Sequence, residues 1–235
     1  MLPLQTAAAI LLGAAMSFES WCFVLPQQDP TGTLILVNKY NKAPMVPVAL
    51  VLPDVKPMKE GGEANIYMRP DAAAALEELF AGAEEEGMHL YAVSGYRSYS
   101  TQKAIFDRKR RERGERIANL SSAKAGYSEH QTGLAMDFEG ESMLGKGLVE
   151  AIGESPEGIW VAENCWKYGF ILRYPKDKTH ITGYIYEPWH VRYVGKEASE
   201  EIHELGDITF EEYILMKRGD RVRYLTEGET QDEES

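Results

Sequence analysis

The stretch "GYSEHQTGLAMDF", residues 126–138, poses the question on which the fold turns. Gly126 and Gly133 punctuate it, and Leu134, Ala135 and Met136 then lead into Asp137 and Phe138. Read locally, this is a turn entering a β-strand, with His130 and Asp137 as polar residues facing water. An aspartate set among small and apolar residues on a buried strand demands a partner, because an unpaired carboxylate in an apolar interior is costly. The other reading is that turn and strand each deliver one ligand to a metal. Neither residue decides this alone, so a third ligand must come from elsewhere in the chain.

The segment "YEPWHVRY", residues 186–193, offers it. Pro188 disfavours a helix, so Glu187 is expected at a turn and Trp189 at the start of a strand. Side chains alternate along a strand, which puts His190 and Arg192 on one face and Trp189, Val191 and Tyr193 on the other. A packed aromatic face holds His190 rigidly, as a metal ligand requires. His130, Asp137 and His190 are three protein ligands, and three leave a tetrahedral position for water, the mark of a catalytic rather than a structural zinc site. Glu187, three residues before His190, is then the candidate for a proton acceptor. His89, His180 and His203 read as ordinary surface or core histidines, and Glu139 as a solvent-facing residue. The residues alone lean to the metal site without closing the water-facing reading.

Around these motifs the chain of 235 residues reads as one main domain. Hydrophobic residues make up 44% and charged residues 26%, the balance of a folded globular protein. A formal net charge of −12 argues against a nucleic-acid partner, and no feature points to a protein partner. The two cysteines, Cys22 and Cys165, form no CxxC pair, which argues against a disulfide framework or a thiolate zinc site. Residues 1–27 hold the apolar run "TAAAILLGAAM", which is too short to span a bilayer and lacks a preceding Lys or Arg. It reads as a signal or anchor that would place the protein in the cell envelope or outside. It reads equally as a plain hydrophobic segment of a cytoplasmic protein.

Residues 28–218 are expected to form the domain, opening with an extended arm that carries the strand-like run "TLILVN", and 219–235 an acidic disordered tail. "RPDAAAALEELFAGAEEEG" reads as a helix capped by Asp71, followed by the strand "MHLYAVS". A second helix is expected from Ser98 to Arg113, with Ala104, Ile105 and Phe106 inward. "GLAMDF" reads as a strand. A helix ending at Gly169 follows, then the strand "FILRY". "GYIYEPWHVRYVG" reads as strand, turn, strand, and "TFEEYILMKRG" as a closing helix with Thr209 and Glu212 spaced as a capping box. Helices and strands mix without a regular βαβ rhythm. The expected class is therefore α+β, a small, largely antiparallel sheet flanked by helices with the zinc cleft on the sheet.

Four motifs in order, "SGYRSYSTQ", "YSEHQTGLAMDF", "YGFILRYP" and "ITGYIYEPWHVRYVG", resemble the VanY-type D-alanyl-D-alanine carboxypeptidases and the related peptidoglycan L,D-carboxypeptidases. The wider group carries SxHxxGxAxD followed by ExxH, matched here by Ser128, His130, Gly133, Ala135 and Asp137, then Glu187 and His190. The resemblance covers about residues 90–195. It implies one Zn2+ per chain on His130, Asp137 and His190, with Glu187 as the catalytic acid/base. It further implies substrate contacts at Arg97, Gln102, Ser128 and Tyr174, and peptidoglycan stem peptides or their precursors as substrates. The implied reaction removes the terminal D-alanine of stems ending in D-Ala-D-Ala. An L,D-carboxypeptidase acting on tetrapeptide stems would use the same catalytic residues. A non-catalytic wall-peptide binding module would have no need of Glu187. Ala125 departs from the family, which usually has proline before this glycine turn.

Overall fold

The computed structural model describes residues 32–44, 49–59, 61–62 and 65–218. The apolar segment 1–27, the first residues of the arm and the acidic tail lie outside these. No helix among the described residues is long and apolar enough to cross a membrane.

Helix α1, Pro70–Glu85, buries Leu76, Leu79, Phe80 and Ala83 along one face. Its first residue is a proline, whose missing N–H is no loss at that position. Arg69 therefore takes the cap position; Asp71, expected there, sits in the first turn and accepts from Arg69. Strand β1, Leu90–Ser94, leads into α2, Tyr99–Arg113, capped by Ser98, whose hydroxyl accepts from the Thr101 amide. Helix α3, Glu115–Ser121, and strand β2, Ala135–Gly140, follow. Helix α4, Pro156–Asn164, continues as a 3-10 turn to Tyr168 and stops at Gly169 (φ 85°), a left-handed position suited to glycine. Strands β3, Phe170–Leu172, and β4, His190–Tyr193, complete the sheet. Helix α5, Lys196–Leu205, and a last helix, α6, over 210–218 close the described chain. The expected capping box is formed, with Thr209 N–H on Glu212 and Glu212 N–H on Thr209 Oγ1.

The sheet is four-stranded and antiparallel, in the order β1-β2-β4-β3, within the α+β class expected. Its register positions the site. Ser94 pairs with Asp137, and Asp137 pairs with His190, so these three residues form one row across β1, β2 and β4. A register shift between Ala92 and Ser94 brings Ser94 into that row. Met136, Phe138, Val191 and Trp189 join α1 and α4 in the main apolar core. Ile171, Ile202, Phe210 and Tyr213 form a second cluster beneath α5 and α6.

Several expectations need correction. "TLILVN" forms no strand; Ile35 and Val37 are buried, and the carbonyls of Thr33 and Ile35 accept from the Arg192 guanidinium instead of from a neighbouring strand. In "GYIYEPWHVRYVG" only the second strand exists, because the chain before Pro188 runs as irregular backbone. On α2 the inward residues are Gln102 and Phe106, while Ala104 is exposed. Glu139 is buried, since β2 is covered on both faces, and it accepts from the Gly145 amide. Cys165 is buried, and burial pushes its thiol up to about 12, leaving it inert.

Candidate active site

The 3-10 turn Glu129–Thr132 presents His130 just before β2, and Gly133 (φ 72°) reverses the chain into the strand. Gly133 also lies against Leu50 and the Arg69 backbone, where a side chain would crowd. His130 donates from Nδ1 to the Gly95 carbonyl, 2.7 Å away. A carbonyl can only accept, so that nitrogen carries the proton and Nε2 is left with the lone pair. Nε2 lies 3.4 Å from Asp137 Oδ2. Across the strand pair, His190 Nδ1 lies 2.9 Å from Asp137 Oδ1, and its Nε2 lies 3.4 Å from Glu129 Oε2.

His130, Asp137 and His190 are all buried, and each offers a ligand atom within 4.8 Å of the others. Zinc bonds of roughly 2.0–2.1 Å in a tetrahedron set neighbouring ligand atoms roughly 3.3 Å apart. The separations of 3.4 Å and 2.9 Å, to Oδ2 and Oδ1 of Asp137 respectively, lie near that spacing, and the donor set of two imidazoles and a carboxylate suits zinc. The residues fit the ion. His130 would ligate through Nε2 and His190 through Nδ1, because their other nitrogens are engaged by Gly95 and Glu129.

The electrostatics separate these groups. Burial and the Arg97 charge push His130 down to about 4, leaving it neutral. Burial opposes a charge on His190 too, but hydrogen bonds with Asp137 and Glu129 bring it up to about 9. Burial disfavours a charge on Asp137, yet the Arg97 guanidinium and the hydrogen bond with His190 hold its carboxyl well below the ordinary range. Glu187 is buried, and that burial lifts its carboxyl to about 7 against the pull of His190. A carboxyl near neutrality is suited to accept and return a proton. The Glu187 carbonyl accepts from the His190 amide, and its own amide bonds the Tyr174 carbonyl, so a short turn ties base and ligand together.

The structure gathers every residue singled out from the sequence. Arg97, Gln102, Ser128, His130, Asp137, Tyr174, Glu187 and His190 all line one cleft of about 270 Å³. Arg97 pairs with Asp137, donates from Nε to Ser94 Oγ at 2.8 Å, and bonds the His130 carbonyl through its amide. Gln102 donates to the Ala123 carbonyl at 2.7 Å and leaves Oε1 buried without a partner. The turn carrying Ser128, where Ala125 replaces proline, is tied by the Gly126 amide on Gln131 and the Gly126 carbonyl on the Ala43 amide. Tyr174 packs 5.0 Å from the His190 ring and 4.7 Å from that of Tyr184. His89, His180 and His203 stand outside the cluster; His203 stacks on Trp166.

Sequence reasoning missed Glu129, Arg173, Lys109 and Tyr184. Lys109, Tyr184 and the buried Glu129 line the same cleft, and Arg173 is fully buried behind it. The available signal was an arginine inside the apolar run "FILRYP", which requires a buried acid somewhere in the fold.

The family model for VanY, D-alanyl-D-alanine carboxypeptidase, matches residues 65–196. The chain belongs to this family. It is 50% identical over 189 residues to YodJ of Bacillus subtilis (strain 168), covering 80% of this chain and 68% of the relative. The solved structure of the LdcB LD-carboxypeptidase is also 50% identical, with a TM-score of 0.73, over 80% of this chain and 87% of that one. A structure of the vancomycin-resistance D,D-pentapeptidase VanY in complex with Zn(II) is 34% identical, with a TM-score of 0.65, over 77% of this chain and 98% of the other.

Proposed function

We propose that the protein is a zinc carboxypeptidase that releases the C-terminal D-alanine from peptidoglycan stem peptides. The observation that carries this is the convergence of His130, Asp137, His190 and Glu187 in one cleft. Zinc-binding by the VanY relative supports the choice of metal. His130, Asp137 and His190 would hold the ion, which when bound polarises the scissile carbonyl and acidifies a water. Glu187 takes the proton from the attacking water and returns it to the departing amine. Arg97 lies in the same cleft, and its guanidinium fork is suited to the free terminal carboxylate that defines an exopeptidase substrate. Gln102, Ser128 and Tyr174 line the remaining wall and would orient the stem peptide. The apolar segment 1–27, acting as an export or anchor signal, would bring the enzyme to that substrate in the envelope.

The greater likeness to LdcB favours L,D-cleavage of tetrapeptide stems, and the family description and the VanY relative favour D,D-cleavage of pentapeptides. Incubating the zinc-loaded protein with defined tetrapeptide and pentapeptide stems separates the two. D-alanine released mainly from the tetrapeptide gives the first reading, and release mainly from the pentapeptide gives the second. No release from either would end the carboxypeptidase assignment.

A further inference from the structure

The mechanism above gives no task to Glu129, a carboxylate only 1% exposed and next to His130 in the same turn. Its Oε1 accepts from Arg173 Nε at 2.8 Å and from Arg192 Nη1 at 2.6 Å. Its Oε2 lies 3.4 Å from His190 Nε2. Arg173 forks onto Glu211 with bonds of 2.9 and 2.7 Å, and Arg192 donates through Nη2 to the carbonyls of Thr33 and Ile35, both at 2.8 Å. Both arginines are wholly buried. A guanidinium only donates, so Oε1 is committed to the two arginines and Oε2 is turned toward the imidazole.

We propose that Glu129 is the positioning residue of the metal site, holding the His190 proton on Nε2 so that Nδ1 offers its lone pair to the metal. Arg173 and Arg192 clamp that carboxylate in place. The role rests on the zinc reading above. One residue thereby links two ligands: Glu129 is joined covalently to His130 in the turn before β2, and it grips His190 on β4. Through Arg173 and Glu211 the same carboxylate is fastened to α6, and through Arg192 to the arm. Wholly buried ion pairs contribute little net stability compared with apolar packing. An orienting role toward a ligand accounts for what their stability does not.

The test is the zinc dissociation constant of the full chain, measured by competition with a chromophoric chelator. In Glu129→Gln the amide oxygen must face the two guanidinium groups, which leaves the NH2 group pointing at His190 Nε2. That nitrogen can then only accept, and a neutral ring must carry its proton on Nδ1, where the metal should bind. The expected result is zinc binding weaker by about 10–100-fold. Glu157→Gln removes another buried carboxylate, held by Ser142 and outside the cleft lining, and should leave zinc affinity within about threefold of wild type. Equal weakening in both variants, or a folded Glu129→Gln protein that binds zinc like wild type, overturns the proposal. If Glu129→Gln does not fold, 15N-histidine spectra of zinc-loaded wild type decide the matter. A proton on His190 Nε2 supports the role, and coordination through Nε2 overturns it. A wild-type chain that binds no zinc would sink the metal reading itself, and this role with it.

Discussion

Two buried ionic clusters lie back to back on His190, and they behave differently. Behind the ring, Glu129, Arg173, Arg192 and Glu211 balance two negative charges with two positive ones, and the Arg173 fork is closed bidentately. In front, His130, Asp137, Arg97 and Glu187 meet a cleft, and their proton affinities are spread from about 4 at His130 to about 7 at Glu187 and about 9 at His190. Burial is similar in both except at Arg97, which is half-buried. What differs is completeness. A cluster whose donors and acceptors are all satisfied holds geometry, whereas one with ligand atoms and a neutral-range carboxyl left over can do chemistry.

Substitutions on the two sides should therefore fail in different ways. The largest effect belongs to the front. Glu187→Gln should lower kcat by about 10²–10⁴ while zinc content and thermal midpoint stay near wild type. Near wild-type turnover would mean that another group takes the proton. At the back, Arg173→Met should cost about 3–5 kcal/mol of folding stability, because Glu211 and part of Glu129 lose their partner inside the protein. Denaturant titration measures this, and a loss below about 1 kcal/mol would mean that the back cluster is not the rigid frame described.

Arg97 belongs to the front and tests exopeptidase recognition. If its guanidinium receives the terminal carboxylate, a charge-assisted bond of about 1.5–3 kcal/mol is at stake. Amidating the substrate should then lower kcat/KM by roughly 10–150-fold, and Arg97→Ala should lose a similar factor on the acid but little more on the amide. Arg97 also pairs with Asp137, so zinc content must be checked in the variant. Losses that simply multiply would exclude Arg97 as the carboxylate clamp.

The smallest effect is a pH dependence. The metal-free fold raises His190 to about 9, so the stability this group contributes is fully present below its unfolded value of roughly 6.5 and is lost as pH rises through about 9. Zinc must displace the Nδ1 proton. Apparent zinc affinity should therefore rise by about tenfold per unit as pH climbs toward 9 and level off above it. A flat profile between pH 7 and 9 would mean that His190 is already neutral in the metal-free protein, contrary to the charge placed on it by Asp137 and Glu129.

The front cluster was legible in the chain because its residues sit in short motifs. His130 and Asp137 lie seven positions apart across one turn, and Glu187 and His190 bracket another. Local turn and strand geometry suffices to make such pairs neighbours. The sequence missed the back cluster because Glu129, Arg173, Arg192 and Glu211 come from four separate segments, with 38 and 63 positions between some partners. No periodicity links them. Glu139 was misjudged for a related reason, since period-two alternation assigns faces to a strand but does not say whether both are covered.

The amino-acid sequence by itself determined the α+β class, the two helices flanking β1 with their boundaries to within a residue or two, and the His130, Asp137, His190 and Glu187 group of the cleft. Those follow from side-chain periodicity, capping and turn chemistry, which act over a few residues. Only the tertiary structure decided that Ser94, Asp137 and His190 share one row, that "TLILVN" gives its carbonyls to Arg192 instead of to a strand, and which nitrogen of each histidine faces the cluster. Strand register and buried charge pairing join residues far apart in the chain. Their outcome depends on which segments the fold brings to the same place, and no single segment encodes that.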